Sequence, residues 1–472
     1  MPDYICPYCG AKITAENVLF VDESAASSYR DDVRYNFLRS CCKDWPFDII
    51  ENGQVKFTGL YFRVDSDAEV GRGGDGFPVT LSVNPAKGLT ATELTGAPAL
   101  ADETKPLDAG ALFTISTRAC PACHCRLPLS FGEIPTVYVT MLGGRAAGKT
   151  AYLISLVHQL KTQLTSLNLG TAELLQESEI YYKYHNKYYQ THQGVTMATP
   201  TSERLFPFVF RYTYFNGIGS GAARQCFIAI YDIAGEGTGN ADYMLNHNGI
   251  KMADTVLLML DPNQINGGQY FARQNQNALP RDAIHSLDAA ESHDYYDEDI
   301  STFLNKAVIT NRSVGILRKV QHVIAVTTKV DQPMMEKSEL FGGNCILKND
   351  IGESHRNAID VSTLRNVQRD LTMFYAREAR IDLPTIVKNA FSCASSPNPT
   401  VALLAVSTYS RQRTADNVIR FVNDYTETGS KHRIIEPFLL ILAYAKMIPF
   451  KESTPVRPAP VATAATKSKG RN

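Results

Sequence analysis

Residues Gly143–Thr150, GGRAAGKT, constrain this chain more than any others, because they lie between an apolar run, IPTVYVTML, and a helical pattern, GKTAYLISLVHQLKTQL. They fit the spacing GxxxxGK[ST]. Glycines there let successive backbone N–H groups curl around a phosphate, and the N-terminus of the following helix adds partial positive charge. On this reading Gly143, Gly144, Arg145, Ala146, Ala147, Gly148, Lys149, Thr150 and Ala151 form a phosphate cradle. Lys149 reaches the β- and γ-phosphates and the Thr150 hydroxyl ligates Mg²⁺. Arg145 either assists charge neutralisation at the γ-phosphate, blocks an arginine finger from a partner, or points to solvent. A chance glycine-rich turn would not explain the strand before the loop and the helix after it.

Beyond the loop, FPFVFRYTYF and CFIAIYDI, joined by the glycine-rich NGIGSGAAR, predict a β-hairpin. TVLLMLD, HVIAVTT and ALLAVS read as buried strands with helical patterns between them. Strands alternating with helices predict an α/β fold, a mixed and mostly parallel sheet covered on both faces. Two short motifs end two of these strands. In DIAGE, Asp232–Glu236, a carboxylate at a strand end can hold Mg²⁺ through water, and Gly235 can offer its N–H to a γ-phosphate. DxxG is common by itself; its place after the second and third strands gives it weight. In TKVD, Thr328–Asp331, the Asp331 carboxylate can accept from the N1–H and 2-amino group of guanine, donors that adenine lacks. The Lys329 stem can pack along the base plane, and the bland reading is a solvated charged turn.

GGRAAGKT, DIAGE and TKVD, in that order, resemble the motifs of TRAFAC P-loop GTPases, the Ras-like and translation-factor-like group, over roughly residues 134–450. The resemblance implies about six strands, with GTP or GDP and Mg²⁺ at their carboxyl ends and two mobile switch segments on the γ-phosphate. It also implies hydrolysis of GTP to GDP and phosphate as a molecular switch acting on protein partners. A switch threonine that closes over Mg²⁺ is sought among Thr196, Thr199 and Thr201; Thr201, just after Pro200 and before the strand, is favoured. A small-residue loop touching guanine O6 is placed at Ser407 and Thr408, with CASS, Cys393–Ser396, as a rival. Glu236 stands where Ras-like members carry a water-orienting glutamine. It can orient or deprotonate water, but brings negative charge toward the phosphate. Catalytic candidates are therefore Glu236, Lys149 and Arg145, with hydrolysis slow or dependent on a partner; the alternatives are a non-hydrolysing nucleotide-binding scaffold or a zinc-ribbon nucleic-acid binder regulated by GTP.

Two cysteine pairs, CPYCG at Cys6–Gly10 and CPACHC at Cys120–Cys125, form a second constellation. Two such knuckles make a tetrahedral Cys₄ zinc site, with Cys6, Cys9, Cys120 and Cys123 as ligands and His124 and Cys125 as spares. A ribbon usually closes within about 15–20 residues, so the pair resembles a zinc ribbon split by an inserted domain. Cys41 and Cys42, being adjacent, read as buried thiols. A zinc ribbon before a TRAFAC-like domain, with DIAGE and the apolar EPFLLILA near the end, is similar to bacterial "double-GTPase" proteins of multi-component conflict systems. That resemblance implies a second GTPase or an effector, as a separate polypeptide, among the protein partners.

The boundaries follow: 1–132, a split zinc ribbon with a β-rich insertion at about 17–118; 133–450, the GTPase domain with long insertions; 451–472, a Pro-, Ala- and Thr-rich tail read as disordered. The Tyr-rich stretch 165–205 runs into the first switch and reads either as a reporter of nucleotide state or as a helical surface decoration. Net charge is −1, so no global field draws the chain to nucleic acid or an anionic membrane, and no basic run interleaved with aromatics marks the ribbon as a nucleic-acid binder. MPDYICPYCG lacks a signal-peptide pattern, and IIEPFLLILAYAKMIPF is too interrupted for a membrane span. With the cysteine pairs, these features predict a reducing, cytoplasmic setting.

Overall fold

The structure, a computed structural model, describes residues 3–15, 17–22, 32–43, 50–51, 54–55, 60–62, 69–72, 78–83, 113–115, 117–144, 146–192, 196–197, 204–214, 223–262, 300–330, 354–378, 380–413, 419–422 and 431–452. Side chains of most residues between 50 and 116 lie outside that description, as does the tail from residue 453. Among the described residues no helix is long and apolar enough to cross a membrane.

The central sheet has seven strands: β1 Thr136–Gly143, β2 Thr171–Leu174, β3 Pro207–Tyr214, β4 Arg224–Asp232, β5 Thr255–Leu260, β6 His322–Thr327 and β7 Thr400–Ala405. Their order is β2-β3-β4-β1-β5-β6-β7. The β4-β1-β5-β6-β7 pairings are parallel, and β2-β3 and β3-β4 are antiparallel. This is an α/β fold: a mostly parallel sheet with helices on both faces. The hairpin read from FPFVFRYTYF and CFIAIYDI is β3-β4.

The sheet carries one strand more than the six expected. β2 comes from the 165–205 stretch and pairs along β3, which would otherwise present an open edge. Gly170 makes the entry possible: its φ is +92°, and a Cβ there would come within 2.1 Å of the Thr213 carbonyl oxygen.

Two cores follow from the pleat. Tyr138, Leu142, Ala229, Tyr231, Leu258 and Ala325 point to one face, and Val139, Met141, Ile228, Ile230, Leu257 and Ile324 to the other. The second face is covered by helices α1 Lys149–Ser166 and α5 Glu436–Tyr444. EPFLLILAY is thus a buried core helix, as its interruptions implied. Helices α3 Val361–Glu378 and α4 Leu383–Phe391 cover part of the first face through Val367, Leu371, Tyr375, Val387 and Phe391.

The rest of the first face is covered by the N-terminal region. A four-stranded antiparallel sheet runs in the order Arg126–Pro128, Thr117–Ala119, Leu19–Asp22, Leu60–Phe62, beside a hairpin of Tyr4–Ile5 and Lys12–Ile13. Phe131 packs on Phe227 of β4, with ring centroids 4.6 Å apart, and Tyr138 of β1 donates from its hydroxyl to the Ile5 carbonyl at 3.1 Å. Helix α2, Gln176–Thr191, is the hinge of this arrangement. Its buried Glu177 accepts from Arg34 Nη2 at 2.8 Å and from the Arg126 backbone N–H at 3.2 Å, joining the helix Asp32–Cys41 to the second cysteine turn. The Tyr-rich stretch is therefore more than a surface decoration: Tyr182, His185 and Tyr189 are buried with it.

Arg34 and Glu177 are both almost fully buried. Removing one partner leaves an uncompensated charge in the interior, so Arg34→Ala should destabilise the chain by about 3–5 kcal/mol, read as a lowered midpoint in urea. A second buried network docks α5. Glu436 accepts from Arg433 Nε at 2.8 Å and pairs with His355 Nε2 at 3.0 Å, while His355 Nδ1 accepts from the Asp360 N–H. Burial pushes the Glu436 carboxyl up, but the Arg433 guanidinium and the His355 hydrogen bond outweigh it and hold it below the usual range. A depressed carboxyl contributes stability above its unfolded pKa that is lost as pH falls through the folded one. Stability should therefore drop as pH falls below 4.5, and Glu436→Gln should flatten that acid limb of a melting-temperature profile.

Candidate nucleotide and metal sites

Parallel pairing brings the carboxyl ends of β1, β4, β5 and β6 to one edge of the sheet. β1 ends in the GGRAAGKT loop, and its register sets Met141 beside Asp232 and Gly143 beside Met259. A Cβ on Gly143 would lie 2.7 Å from the Met259 carbonyl oxygen, so only glycine turns out of the sheet here. Ala146 and Gly148 adopt φ of +58° and +82°, the left-handed steps that fold the loop back over α1. At a non-glycine residue such a step costs about 1–2 kcal/mol, a strain of the kind found at ligand clamps.

α1 begins at Lys149 with no side-chain cap and no acidic residue in its first turn. The first amides of any helix lack intrahelical acceptors, so this end is built to receive an anion from outside the helix. Lys149 is buried, and its Nζ donates to the carbonyls of Gly143 and Gly144 at 2.9 and 3.0 Å, keeping a positive charge over the loop.

Thr150 Oγ1 donates to Asp232 Oδ2 at 2.6 Å. The other Asp232 oxygen is buried without a partner. Desolvation pushes the Asp232 carboxyl up, against the opposing charge of Lys149 and the Thr150 hydrogen bond. A buried oxygen with nothing to accept from, beside a hydroxyl and a phosphate-type loop, fits a hard divalent cation such as Mg²⁺, which takes oxygen ligands and offsets that cost. Gly235 opens a short turn, Gly235–Gly237, closed by Thr238 Oγ1 on the Gly235 carbonyl at 2.7 Å and tied to Asn311 Nδ2 through the Thr238 carbonyl at 2.6 Å.

TKVD follows β6 at the same edge. A Cβ on Gly148 would lie 4.0 Å from Thr328 Cβ, so the two loops are neighbours. Thr328 Oγ1 donates to the Leu260 carbonyl at 3.2 Å. Lys329, at φ +50°, pairs with buried Asp261 at 2.6 Å, and Thr327 shares a hydrogen bond with the buried Tyr375 hydroxyl at 3.0 Å. Sequence reasoning missed Asp261 and Tyr375. Asp261 had a signal: it closes the apolar run TVLLMLD as Asp232 closes CFIAIYD. Tyr375 had none, being one aromatic among many on an amphipathic helix.

Ser407 and Thr408 do not form a loop. They open the strand Ser407–Arg413 of a small antiparallel sheet, with Ser407 buried and paired with His432. They still lie beside TKVD, since the Val330 N–H donates to the Val406 carbonyl. The rival CASS lies at the wrong end: Ser395 Oγ donates to the Arg318 carbonyl at 2.6 Å, just before β6 begins, at the opposite edge from the loops. Arg145, Thr199, Thr201, Asp331 and the Glu236 side chain lie outside the described residues, whereas Thr196 lies within them.

The cysteine centre is the second site. The sulfurs of Cys6, Cys9, Cys120 and Cys123 all lie within 4.8 Å of one another, with Cys6 to Cys123 at 3.8 Å and Cys9 to Cys120 at 3.5 Å. A tetrahedral zinc with Zn–S bonds of about 2.3 Å requires S–S separations of about 3.8 Å, so the four sulfurs fit that ion. Both turns share one backbone: residue 10 donates to the Cys6 carbonyl and residue 124 to the Cys120 carbonyl, at φ of +74° for Gly10 and +55° for His124. The Ala122 N–H approaches Cys120 Sγ at 3.4 Å. Burial pushes Cys6 and Cys123 well above the ordinary thiol range, a cost that metal ligation removes. Cys125 is not one of these four sulfurs; its thiol, which hydrogen-bonds Cys123, is raised by burial to about 11. Cys41 and Cys42 are buried thiols, as their adjacency suggested.

No protein-family model matches the chain. The SaeC protein of Mycolicibacterium smegmatis, whose description provisionally gives it a role in ESX-1 scaffolding and assembly, is 27% identical over 165 residues. That match spans 32% of this chain and 40% of the length of the curated relative. Solved structures with similar folds include the GTPase-like domain of Saccharomyces cerevisiae Ski7 bound to GTP, at 12% identity and TM-score 0.26, covering 67% of this chain and 51% of that one. The signal recognition particle receptor SRb–SRX complex of Chaetomium thermophilum aligns at 10% identity and TM-score 0.23, over 60% and 94% of the two chains. An Era variant of Aquifex aeolicus aligns at 13% identity and TM-score 0.21, over 69% and 60%.

Two outcomes test these sites. Elemental analysis should find one zinc per chain, lost in Cys120→Ser together with a fall in melting temperature. Asp261→Asn should release Lys329 and weaken binding of fluorescent GDP several-fold, measured by titration, with the zinc content unchanged.

Proposed function

We propose that the chain is a GTP-binding molecular switch that hydrolyses GTP to GDP and phosphate, slowly or under the control of a protein partner. One observation carries this reading: the Lys149 loop, the Thr150–Asp232 pair and the TKVD loop converge at the carboxyl edge of a mostly parallel sheet. Phosphate would lie against the loop amides and Lys149. Mg²⁺ would be held by Thr150 and Asp232, with Thr201 joining from the first switch, and it would neutralise charge between the β- and γ-phosphates. The Gly235 amide would meet the γ-phosphate, and Glu236 would orient the attacking water while Arg145 sits over the loop. Asp331 would read the guanine edge, with Ser407 and Thr408 contributing backbone near O6.

The partner would be protein. The formal net charge of −1 gives no global pull toward nucleic acid, and the cysteine centre would be structural, since four sulfurs on one ion leave no open coordination position. The resemblance to double-GTPase proteins would supply a second GTPase or effector as a separate polypeptide in the cytoplasm. Scaffolding without hydrolysis is the second reading, and it draws on the description of the mycobacterial relative.

Competition against fluorescent GDP tests the guanine reading. GTP should compete and ATP should not, and Asp331→Ala should reduce that preference at least ten-fold. Competition by ATP as strong as by GTP would sink it. Single-turnover assays with radiolabelled GTP and Mg²⁺ separate the two functional readings: phosphate release that slows at least ten-fold in Glu236→Ala supports the switch, and no release over hours, with GTP still bound, supports the scaffold.

A further inference from the structure

The first cysteine turn does more than fill space against the sheet. Only Pro7 and Tyr8 stand between Cys6 and Cys9, so metal held by those cysteines fixes both residues. Each touches a strand that serves the nucleotide edge. The Pro7 carbonyl accepts from the Tyr231 hydroxyl at 2.5 Å, and Tyr231 immediately precedes Asp232. The Tyr8 ring stacks on Phe206 with centroids 5.1 Å apart, and Phe206 is the residue before β3, where the first switch would end.

Tyr231 is held from its other side as well. A Cβ on Gly249 would fall 2.1 Å from Tyr231 Cζ, so the ring is clamped between the cysteine turn and the Gly249 backbone. The Arg204 N–H, two residues before Phe206, donates to the Ser40 carbonyl at 2.8 Å, a further tie from the N-terminal region to the same segment.

We infer that the first cysteine turn is a positioning element of the nucleotide site. Through Pro7 it sets Tyr231, and through Tyr8 it sets Phe206. Metal in the cysteine centre and nucleotide with Mg²⁺ in the loop then bind with positive coupling. The inference rests on the nucleotide reading above and adds its regulation: loss of zinc loosens the segment that presents Asp232. Coupling of this kind is reciprocal, so each ligand strengthens the other by the same factor.

The test uses the full chain. Zinc affinity is measured by competition with a chromogenic chelator, without nucleotide, with GDP and Mg²⁺, and with a non-hydrolysable GTP analogue. GDP affinity is measured on zinc-loaded and zinc-stripped protein. Nucleotide should raise zinc affinity at least five-fold, and zinc should raise GDP affinity by the same factor. Tyr231→Phe keeps the ring and all four cysteines, avoiding any unfolding of stripped protein; it should bind one zinc and bring the coupling factor toward one. Tyr8→Leu should do the same through Phe206. A role confined to stability would lower the melting temperature of these variants and leave the factor unchanged, which would overturn the inference, as would equal zinc affinity in all three nucleotide states. Failure of zinc-loaded wild-type protein to bind GDP would overturn the nucleotide reading itself.

Discussion

Parallel pairing of β1 with β4 on one side and β5 on the other is the constraint on which the rest depends. In a parallel sheet all strands deliver their carboxyl ends to one edge, so the chain reaches that edge at the end of each strand and returns through a crossover before the next. The register puts Asp232 beside Met141, two residues short of the loop, close enough for Thr150 at the start of α1 to reach its carboxylate. A slip of one residue would exchange the two faces of β4 and point Asp232 away from the loop. Strands covered on both faces must be apolar throughout, which is why YVTML, FIAIY and VLLML read as continuous runs.

The same apolarity explains what was legible. GGRAAGKT, the strand runs, and the placement of DIAGE and TKVD at their ends are local patterns, and they were legible as far as a mostly parallel sheet, while the order of its strands was not. Contacts made by distant residues did not. Asp261 meets Lys329 across 68 positions, and Glu177 meets Arg34 across 143; neither pairing leaves a periodic trace. Ser407 was misread as loop because its run, ALLAVSTYS, gives no sign of where one strand ends and the next begins; pairing with His432 decides that. β2 was missed because TAEL is short and polar, an edge strand that takes its conformation from β3.

The split cysteine centre follows a different logic. Each turn is legible from CPxC alone, but pairing two turns more than a hundred residues apart depends on the strands that carry them. Thr117–Ala119 and Arg126–Pro128 bring in the second turn, and α2 locks it through Glu177 and the Arg126 amide. The cysteine centre thereby acquires a fixed position against β3 and β4, where a freely tethered ribbon would have none. Its aromatic contacts, Tyr8 with Phe206 and Phe131 with Phe227, bury the sheet face that α3 and α4 leave open.

The two strand-end carboxylates at the nucleotide edge show how one edge divides its work. Asp261 is neutralised within the chain: Lys329 sits 2.6 Å away, and the pair fixes the loop that precedes Asp331. Asp232 is only partly compensated, by one hydroxyl and a lysine whose own hydrogen bonds go to loop carbonyls, and it keeps a buried oxygen without a donor. A carboxylate already paired with a lysine has little to gain from a cation, whereas one left with an orphaned oxygen gains much. Internal pairing thus selects Asp261 for scaffolding and leaves Asp232 as the carboxylate whose charge a metal ion would complete. The difference arises from two lysines: Lys329, at φ +50°, meets Asp261, whereas Lys149 is drawn into the carbonyls of its own loop.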